Sequence, residues 1–523
     1  MTEGPATTPP PVNRWLVAIS VMAGTFMVVL DTTVVNVSLP HIAGSLSASV
    51  EEATWALTSY LAANAVILPI TGWLANFFGR KRLLLFSVTS FTTASLMCGL
   101  APSLGFMIVF RILQGLSGGV MQPLSQAVLL EAFPPEERGK AMGFWGVGIV
   151  AAPILGPVMG GWLTENWSWR WVFFINLPVG VIAVVMIWFF IFDPPYIRRG
   201  SSRIDYWGIG LLTVGIGALQ LGLDRGQEYD WFSSRLVTFL LITAAVSLLA
   251  MLARELVVLN PVVDLRVFRE RTYATGVFLT TLMGAVLYGS LVLLPIMLQS
   301  VMGYSAYSAG ITMAPRGIGT LITMPLVGIL LGRFDGRRIL ALGFVAGAVT
   351  LLWLSWLNTD AGFWDLFWPQ FVQGMAFGLL FVPLTTVTMD PIPNEGMGNA
   401  TSLFNLMRNI GGSLGIALIQ TFAVRQRQVH TTILVEHINP YSPATQLMLD
   451  RLKAAFMAAG ADAVTAAERA TAALWGMVQK EAAVLSFLDS FHLLGLVFLI
   501  SAPLAFLMRR PRAGSRGAAS AAE

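Results

Sequence analysis

Apolar residues run along this chain in stretches of about twenty, separated by short polar segments, which is the length a helix needs to cross a bilayer. Fourteen such spans are read near 15–36, 54–75, 82–100, 105–129, 140–163, 171–192, 206–223, 236–256, 273–298, 307–331, 338–357, 365–389, 398–424 and 484–508. The first is too long for a signal peptide, contains Asp31 and lacks a clear small-residue cleavage site, so it reads as a span. Residues 1–14 are a polar, Pro-rich cytoplasmic tail expected to be disordered, and residues 509–523 a cytoplasmic C-terminal tail.

Composition agrees with this pattern. Of 523 residues, 55% are hydrophobic and 11% are Asp, Glu, Lys or Arg; soluble domains carry roughly 25% charged residues. Mean hydropathy is +0.71. The reading is an all-α integral membrane protein, which excludes disorder, a nucleic-acid-binding domain and a disulfide-rich scaffold. The single cysteine, Cys98, lies in an apolar run and reads as a small core residue.

The net charge of +4 is explained by topology. An even span count puts both termini on one side. Taking that side as cytoplasmic places 20 of the 32 basic residues inside, among them Arg80, Lys81 and Arg82.

Two segments recur. Gly72-Trp-Leu-Ala-Asn76-Phe-Phe-Gly79-Arg80-Lys-Arg82 follows span 2, and Gly328-Ile-Leu-Leu-Gly332-Arg-Phe-Asp335-Gly336-Arg-Arg follows span 10, 256–257 residues later. Arg111-Ile-Leu-Gln114-Gly115 in span 4 returns as Gln370-Phe-Val-Gln373-Gly374 in span 12, 259 residues later. The economical architecture is a six-helix bundle over 15–192, a linker with two inserted helices over 193–256, and a second six-helix bundle over 257–508. Parallel repeats of this kind are a transporter architecture with substrate near the midplane.

These residues resemble the major facilitator superfamily, specifically its fourteen-helix drug:proton antiporters. The Gly72–Arg82 loop is similar to the family's signature loop, with Asn76 where the superfamily usually has Asp. Gly156-Pro157-Val-Met-Gly160-Gly161 is similar to the antiporter motif, and Val29–Pro40 to the span-1 signature of the branch. Leu223–Ser234, Trp368–Gly374 and Arg408–Gly415 resemble the EmrB type within it. The resemblance implies the major facilitator fold with 14 transmembrane helices and proton-coupled export of hydrophobic toxic compounds from a bacterial inner membrane. It implies no cofactor beyond the proton-motive force. It also implies two partners, an EmrA-like periplasmic adaptor and a TolC-type outer-membrane channel.

Few ionisable residues lie well inside the spans: Asp31, Arg111, Arg316 and Arg408. Each costs at least ~2.5–3.5 kcal/mol at mid-bilayer on insertion scales, so function or pairing must offset it. Asp31 and Arg111 sit at equal depth, roughly 8–10 Å below the outer surface at ~1.5 Å per residue. A pair there is geometrically sound, and proton uptake by Asp31 would require its separation from Arg111. The competing role is local bonding and helix packing.

Arg316 and Arg408 approach the midplane and are candidates for substrate contact, against snorkelling or bonding to backbone carbonyls. Three arginines against one carboxylate favour neutral or weakly acidic hydrophobic substrates. Asn36, Asn64, Gln114, Gln122, Gln126, Gln373, Thr385, Asn405 and Asn409 are polar groups on apolar helices, expected to face the bundle interior as interhelical bonds or pocket lining. Tyr288, Phe377 and Phe381 could line a hydrophobic cavity. The resemblance makes Gly72, Asn76, Gly79, Arg80 and Arg82 candidates for an inner gate. Gly156, Pro157, Gly160 and Gly161 read as a bent, leak-tight hinge.

Residues 425–483 are expected to form a periplasmic helical hairpin. Ser442-Pro443 would open its first helix and a capping box, Thr465-Ala-Ala-Glu468, its second. Adaptor docking is the reading there; a lid over the outer opening is the rival. His430 and His437 read as solvated polar residues, and no metal site is expected.

No phosphate-binding or zinc-protease motif occurs. G-x-S-x-G appears at Gly115–Gly119 and Gly411–Gly415, in apolar helices without the strand–turn–helix setting it needs, and reads as chance. No enzyme is expected. The remaining rivals are a dedicated exporter of one endogenous metabolite or siderophore and, from a different class, a solute uptake symporter.

Overall fold

A computed structural model describes residues 13–194, 205–258, 261–358, 361–439 and 441–509, apart from the side chains at positions 50, 51, 154, 157, 306 and 307. The tails expected at the two ends lie almost entirely outside these residues.

Among the described residues the regular structure is helical, with short 3₁₀ turns. The first half contains α1 (Arg14–Ser45), α2 (Val50–Ala53), α3 (Trp55–Ile67), α4 (Thr71–Phe78), α5 (Arg80–Gly99), α6 (Leu104–Ala132), α7 (Arg138–Asn166), α8 (Trp171–Phe174) and α9 (Asn176–Phe190). Then come α10 (Tyr206–Gly226) and α11 (Arg235–Val257). The rest is α12 (Arg271–Ser300), α13 (Ala306–Leu330), α14 (Gly336–Leu354), α15 (Phe363–Met389), α16 (Met397–Glu436), α17 (Pro443–Ala458) and α18 (Ala463–Leu504).

Among the described residues, twelve helical stretches, with α8 and α9 taken as one, are long and apolar enough to cross a membrane. The pair α3 and α4, bent by 61° at residues 68–70, makes a thirteenth if it is one span. The 40-residue α16 is more polar, yet it packs against α12, α18, α6 and α4. Side-chain oxygens start several helices where the sequence supplies them: Asn13 before α1, Asp205 before α10, Ser305 before α13 and Asp335 before α14. Large apolar side chains such as Phe86, Val181, Trp188, Phe189, Val246 and Leu249 are exposed, as a surface solvated by lipid tails allows. The helices α10 and α11 pair with each other, and α11 is the least enclosed of the twelve.

The helix packing follows the repeat. Gly115 in α6 lies against the carbonyl of Tyr60 in α3, and Gly374 in α15 lies against the carbonyl of Arg316 in α13; a Cβ on either glycine would overlap it. Tyr60 and Arg316 are 256 residues apart, matching the spacing of the sequence repeat. Gly156 and Gly160 in α7 press on Thr33 and Val34 of α1. Gly411 and Gly415 in α16, each 255 residues later, press on Thr281 and Ala285 of α12. The two G-x-S-x-G segments thus lie on small-residue faces where apolar helices approach backbone to backbone, consistent with a chance match to the hydrolase motif.

In the segment 425–483, α17 and the start of α18 form the expected pair of helices, with Gly460 at positive φ between them, but the flanking helices run further than expected. The helix α16 continues unbroken to Glu436, because nothing between Ile416 and Glu436 is Gly or Pro. The helix α18 begins at Ala463 and runs without a break through the last apolar stretch. Its cap is Asp462, which accepts from the backbone N–H of Val464 and Thr465, three residues before the expected cap at Thr465. Ser442 is the N-cap of α17, with Pro443 opening the helix but no side-chain cap bond. Between α16 and α18, α17 is the one separate helix among the described residues, and it packs on α18.

Candidate functional site

The bend between α3 and α4, the close α3–α6 crossing and the α1–α9 contact bring one carboxylate and one guanidinium together. Asp31 Oδ2 accepts from Arg111 Nη1 at 2.6 Å, with both side chains fully buried. Asp31 Oδ1 accepts from Gln114 Nε2 at 2.9 Å and from Asn176 Nδ2 at 2.8 Å. Arg111 has other supports: Nε donates to the Ala56 carbonyl at 2.9 Å and Nη1 to Gln114 Oε1 at 2.7 Å. Its guanidinium lies 4.2 Å from the centre of the Tyr60 ring, a cation–π contact. Ser95 donates to the Phe173 carbonyl at 2.9 Å and accepts from Asn176 at 3.0 Å.

A buried ion pair survives desolvation only when the remaining lone pairs and protons are satisfied. Here the carboxylate has three donors. The expected Asp31–Arg111 pair and Gln114 are in place. Asn176, Ser95 and Tyr60 were not anticipated; an Asn at the start of an apolar helix was the available signal for the first. Cys98 is buried beside the cluster, its thiol 3.7 Å from Gln114 Oε1.

A second polar group sits where the halves meet. Arg408 Nη2 in α16 donates to Gln122 Oε1 in α6 at 3.0 Å. One turn away, Asn405 Nδ2 donates to Gln126 Oε1 at 2.5 Å and to the Thr401 carbonyl at 2.8 Å. Phe381 lies below Arg408, 5.9 Å from ring centre to guanidinium, and stacks on Trp145 of α7 at 5.9 Å. Phe377 follows at 5.7 Å from Phe381. These residues join the two halves at mid-depth, so Gln122, Gln126, Asn405 and Arg408 are interhelical bonds across the central interface.

A third group lies within the second half. Arg316, Gln373 and Phe377 line a small cavity together with Ser290, and Arg316 Nη2 donates to the Ser290 hydroxyl at 3.2 Å.

Other candidates fall elsewhere. Asn36 is exposed and makes no interhelical hydrogen bond among the described residues. Thr385 is buried but bonds to the Phe381 carbonyl of its own helix at 2.9 Å, which satisfies it locally. The backbone of Asn64 packs on Gly119, and the ring of Tyr288 packs on Gly412. Asn409 is half-buried next to Arg408.

The inner-gate residues divide. Gly79 takes φ of +87°, a conformation L side chains rarely adopt, and so lets α4 turn directly into α5. Arg80 is buried and ion-paired with Glu131 at the end of α6. Asn76 and Arg82 are exposed and take no part in this closure. Gly72 abuts the backbone of Gly398 and Asn399 at the start of α16, a contact between halves. Gly328, its repeat partner, abuts Gly139 at the start of α7, a second contact between halves. Two symmetry-related backbone crossings thus close one end of the molecule. In α7, Gly156 and Gly160 make close contact with α1, but Gly161 faces open space and the side chain of Pro157 lies outside the described ones.

Outside the membrane spans, Asp335 caps α14 and pairs with Arg337 at 2.7 Å, which holds its carboxyl below the ordinary range. Burial pushes the Asp390 carboxyl up, opposed by Arg138. No group of three or more His, Cys, Asp or Glu able to hold a metal occurs among the described residues.

Comparison with known proteins accords with this architecture. The family model described as Major Facilitator Superfamily matches residues 21–416. The chain is 42% identical over 432 residues to "Multidrug export protein EmrB" of Haemophilus influenzae, covering 82% of this chain and 84% of that one. It is 40% identical over 430 residues to "Fatty acid resistance protein FarB" of Neisseria gonorrhoeae, with 82% and 84% covered. Its fold is similar to the crystal structure of the human organic anion transporter MFSD10, with a TM-score of 0.62 at 12% identity, covering 95% of this chain and 100% of that one. Fold, repeat and sequence agree, and the chain belongs to the major facilitator superfamily as an EmrB-type membrane transporter rather than an enzyme.

Proposed function

We propose that this chain exports hydrophobic toxic compounds from the cell by alternating access, exchanging each for one or more protons. The carrying observation is the closed Asp31–Arg111–Gln114–Asn176 cluster. Asp31 is fully buried, so its proton exchange is confined to states that open the cluster. When Oδ2 takes a proton, the Arg111 Nη1 contact is the one that must yield. Arg111 keeps the Ala56 carbonyl and Gln114 Oε1, so it need not be left bare. The cluster also joins α1, α6 and α9, so protonation state and helix placement are coupled.

The energetics suit antiport. One charge crossing 100 mV yields ~2.3 kcal/mol, and each pH unit adds ~1.4 kcal/mol. One proton therefore supports a tens-fold gradient of a neutral compound. The name of the Haemophilus relative, a multidrug export protein, supports a broad substrate range.

In this reading fourteen helices span the inner membrane: the twelve, the bent α3–α4 pair and α16. Both termini are cytoplasmic, which the distribution of Lys and Arg supports. The outer ends of α16 and α18 with α17 then face the periplasm. There they would meet an EmrA-like adaptor leading to a TolC-type channel. No cofactor is involved.

The test is transport into inside-out vesicles, acid inside, with a panel of acidic, neutral and cationic hydrophobic dyes. Gradient-driven uptake that Asp31→Asn abolishes supports the proposal. Uptake that survives the substitution removes Asp31 from the coupling path. Uptake of no dye, with or without the adaptor, favours an exporter dedicated to one metabolite.

A further inference from the structure

The second half repeats the helix crossings of the first but not its charges. Tyr60 of α3 and Arg316 of α13 hold equivalent places, each with its carbonyl against the glycine of the crossing helix. Gln370 and Gln373 stand where Arg111 and Gln114 stand in the first half. There the guanidinium meets Asp31. In the second half, none of α12, α13 and α14 contains an Asp or Glu, and Asp365 lies in the first turn of α15. Arg316 is nonetheless buried, at 8% exposure. It spends one bond, from Nη2, on the Ser290 hydroxyl, while Nη1 is buried with no partner.

An ionised group taken out of water without a partner is costly, and native structures pair such groups. This guanidinium opens onto a cavity that, as the structure stands, has room for about one water. The polar lining is Arg316, Ser290 and Gln373; the rest is apolar, including Leu287, Phe377 and Leu380. Phe377 connects it through Phe381 to the central interface below Arg408.

From this geometry we infer that Arg316 is the head-group subsite for an organic monoanion: a carboxylate or sulfonate on an aromatic or aliphatic body. The anion supplies the negative charge that the lining of this cavity lacks. Its oxygens take Arg316 Nη1, with the Gln373 amide as a neighbouring donor, while Ser290, whose proton goes to the Leu287 carbonyl, holds Arg316 Nη2 in place; its body displaces Phe377 and rests on Leu287 and Leu380. A free guanidinium presents a planar donor fork suited to two oxygens, which a hydrated ammonium does not reproduce. The inference rests on the exporter reading, which it narrows to hydrophobic acids as preferred cargo.

The experiment measures binding to the purified full chain in nanodiscs, with tryptophan fluorescence as readout and 4-phenylbutyrate and 4-phenylbutanol as probes. The wild type should bind the acid at least tenfold more tightly than the alcohol. Arg316→Gln should lose that preference while its affinity for the alcohol changes less than threefold. Arg316→Lys should fall between, and unfolding temperatures of both variants check that they fold. Equal affinity of wild type and Arg316→Gln for the acid overturns the subsite. Replacing chloride by gluconate gives the second arm. If that lowers the unfolding temperature of the wild type but not of Arg316→Gln, and the acid does not restore it, the site holds a resident halide and the inference falls. The vesicle assay separates the two claims: gradient-driven uptake of neutral dyes unchanged in Arg316→Gln, with acid preference also unchanged, sinks the subsite and leaves the exporter standing.

Discussion

Asn176 donates from its side-chain nitrogen to Asp31 Oδ1 at 2.8 Å, and so ties the start of α9 to the middle of α1. Its second contact, to Ser95 at 3.0 Å, adds α5. A hydrogen bond to a charged group is worth about 1.5–3 kcal/mol. Asn176→Ala should therefore cost about 2 kcal/mol of stability. It should also slow gradient-driven uptake several-fold without abolishing it. Asp31→Asn should abolish gradient-driven uptake yet keep substrate exchange in the absence of a gradient. Counterflow measurements on both variants check this; a dead exchange reaction in a folded Asp31→Asn would place Asp31 in substrate binding instead.

The two glycine crossings at Gly72 and Gly328 predict how this end of the molecule closes. A Cβ at Gly72 would lie 2.6 Å from the Cα of Asn399, backbone that cannot step aside. Gly72→Ala should push α4 and α16 apart and favour states open at this end. Spin labels at the exposed positions Asn76 and Arg338 should report longer and broader distances than in the wild type. Gly161→Ala, in contrast, meets nothing within 4 Å and should leave transport intact.

Much of this was legible in the chain because membranes impose strong constraints. Span length is set by bilayer thickness, and helicity by the cost of unpaired backbone in lipid. Asp31 and Arg111 were legible because equal depth follows from counting residues along helices. Asn176 was not, since its role depends on how α9 rotates about its axis. The same holds for Asn36: residue type says that a polar group needs a partner or water, not which face of α1 it takes. The extent of α16 beyond the apolar stretch was not legible, because a helix continues until something stops it. No Gly or Pro stops α16 between Ile416 and Glu436, whatever the change in polarity.

The bond from Arg408 to Gln122 crosses between halves at 3.0 Å, as does that from Asn405 to Gln126 at 2.5 Å. Alternating access must break at least one of them in each cycle. A double-mutant cycle of Gln122→Ala and Arg408→Gln should give a coupling energy of about 1–2 kcal/mol in unfolding stability. Gln122→Ala alone should raise the rate of conformational exchange. Additive effects would mean that the contact carries no energy and that Arg408 is held by α12 and α16 alone.

Asp335 offers a pH-dependent test away from the transport pathway. Its carboxylate accepts from the Arg337 backbone N–H at 3.0 Å, capping α14, and from the Arg337 side chain. These contacts hold its folded pKa below the ordinary 3.8. A depressed carboxylate contributes stability that is fully present above its unfolded value and lost as pH falls through the folded one. Losing an N-cap costs about 1 kcal/mol, and the partly exposed ion pair adds less than that. At neutral pH, Asp335→Asn keeps an oxygen for the cap and should lose only the ion-pair part. Asp335→Ala should lose both. The gap between wild type and Asp335→Asn should narrow as pH drops below 3.8, because the wild-type side chain is then also becoming neutral. Thermal unfolding of the three proteins across that range decides it: a gap independent of pH would show that charge at Asp335 contributes nothing to the fold.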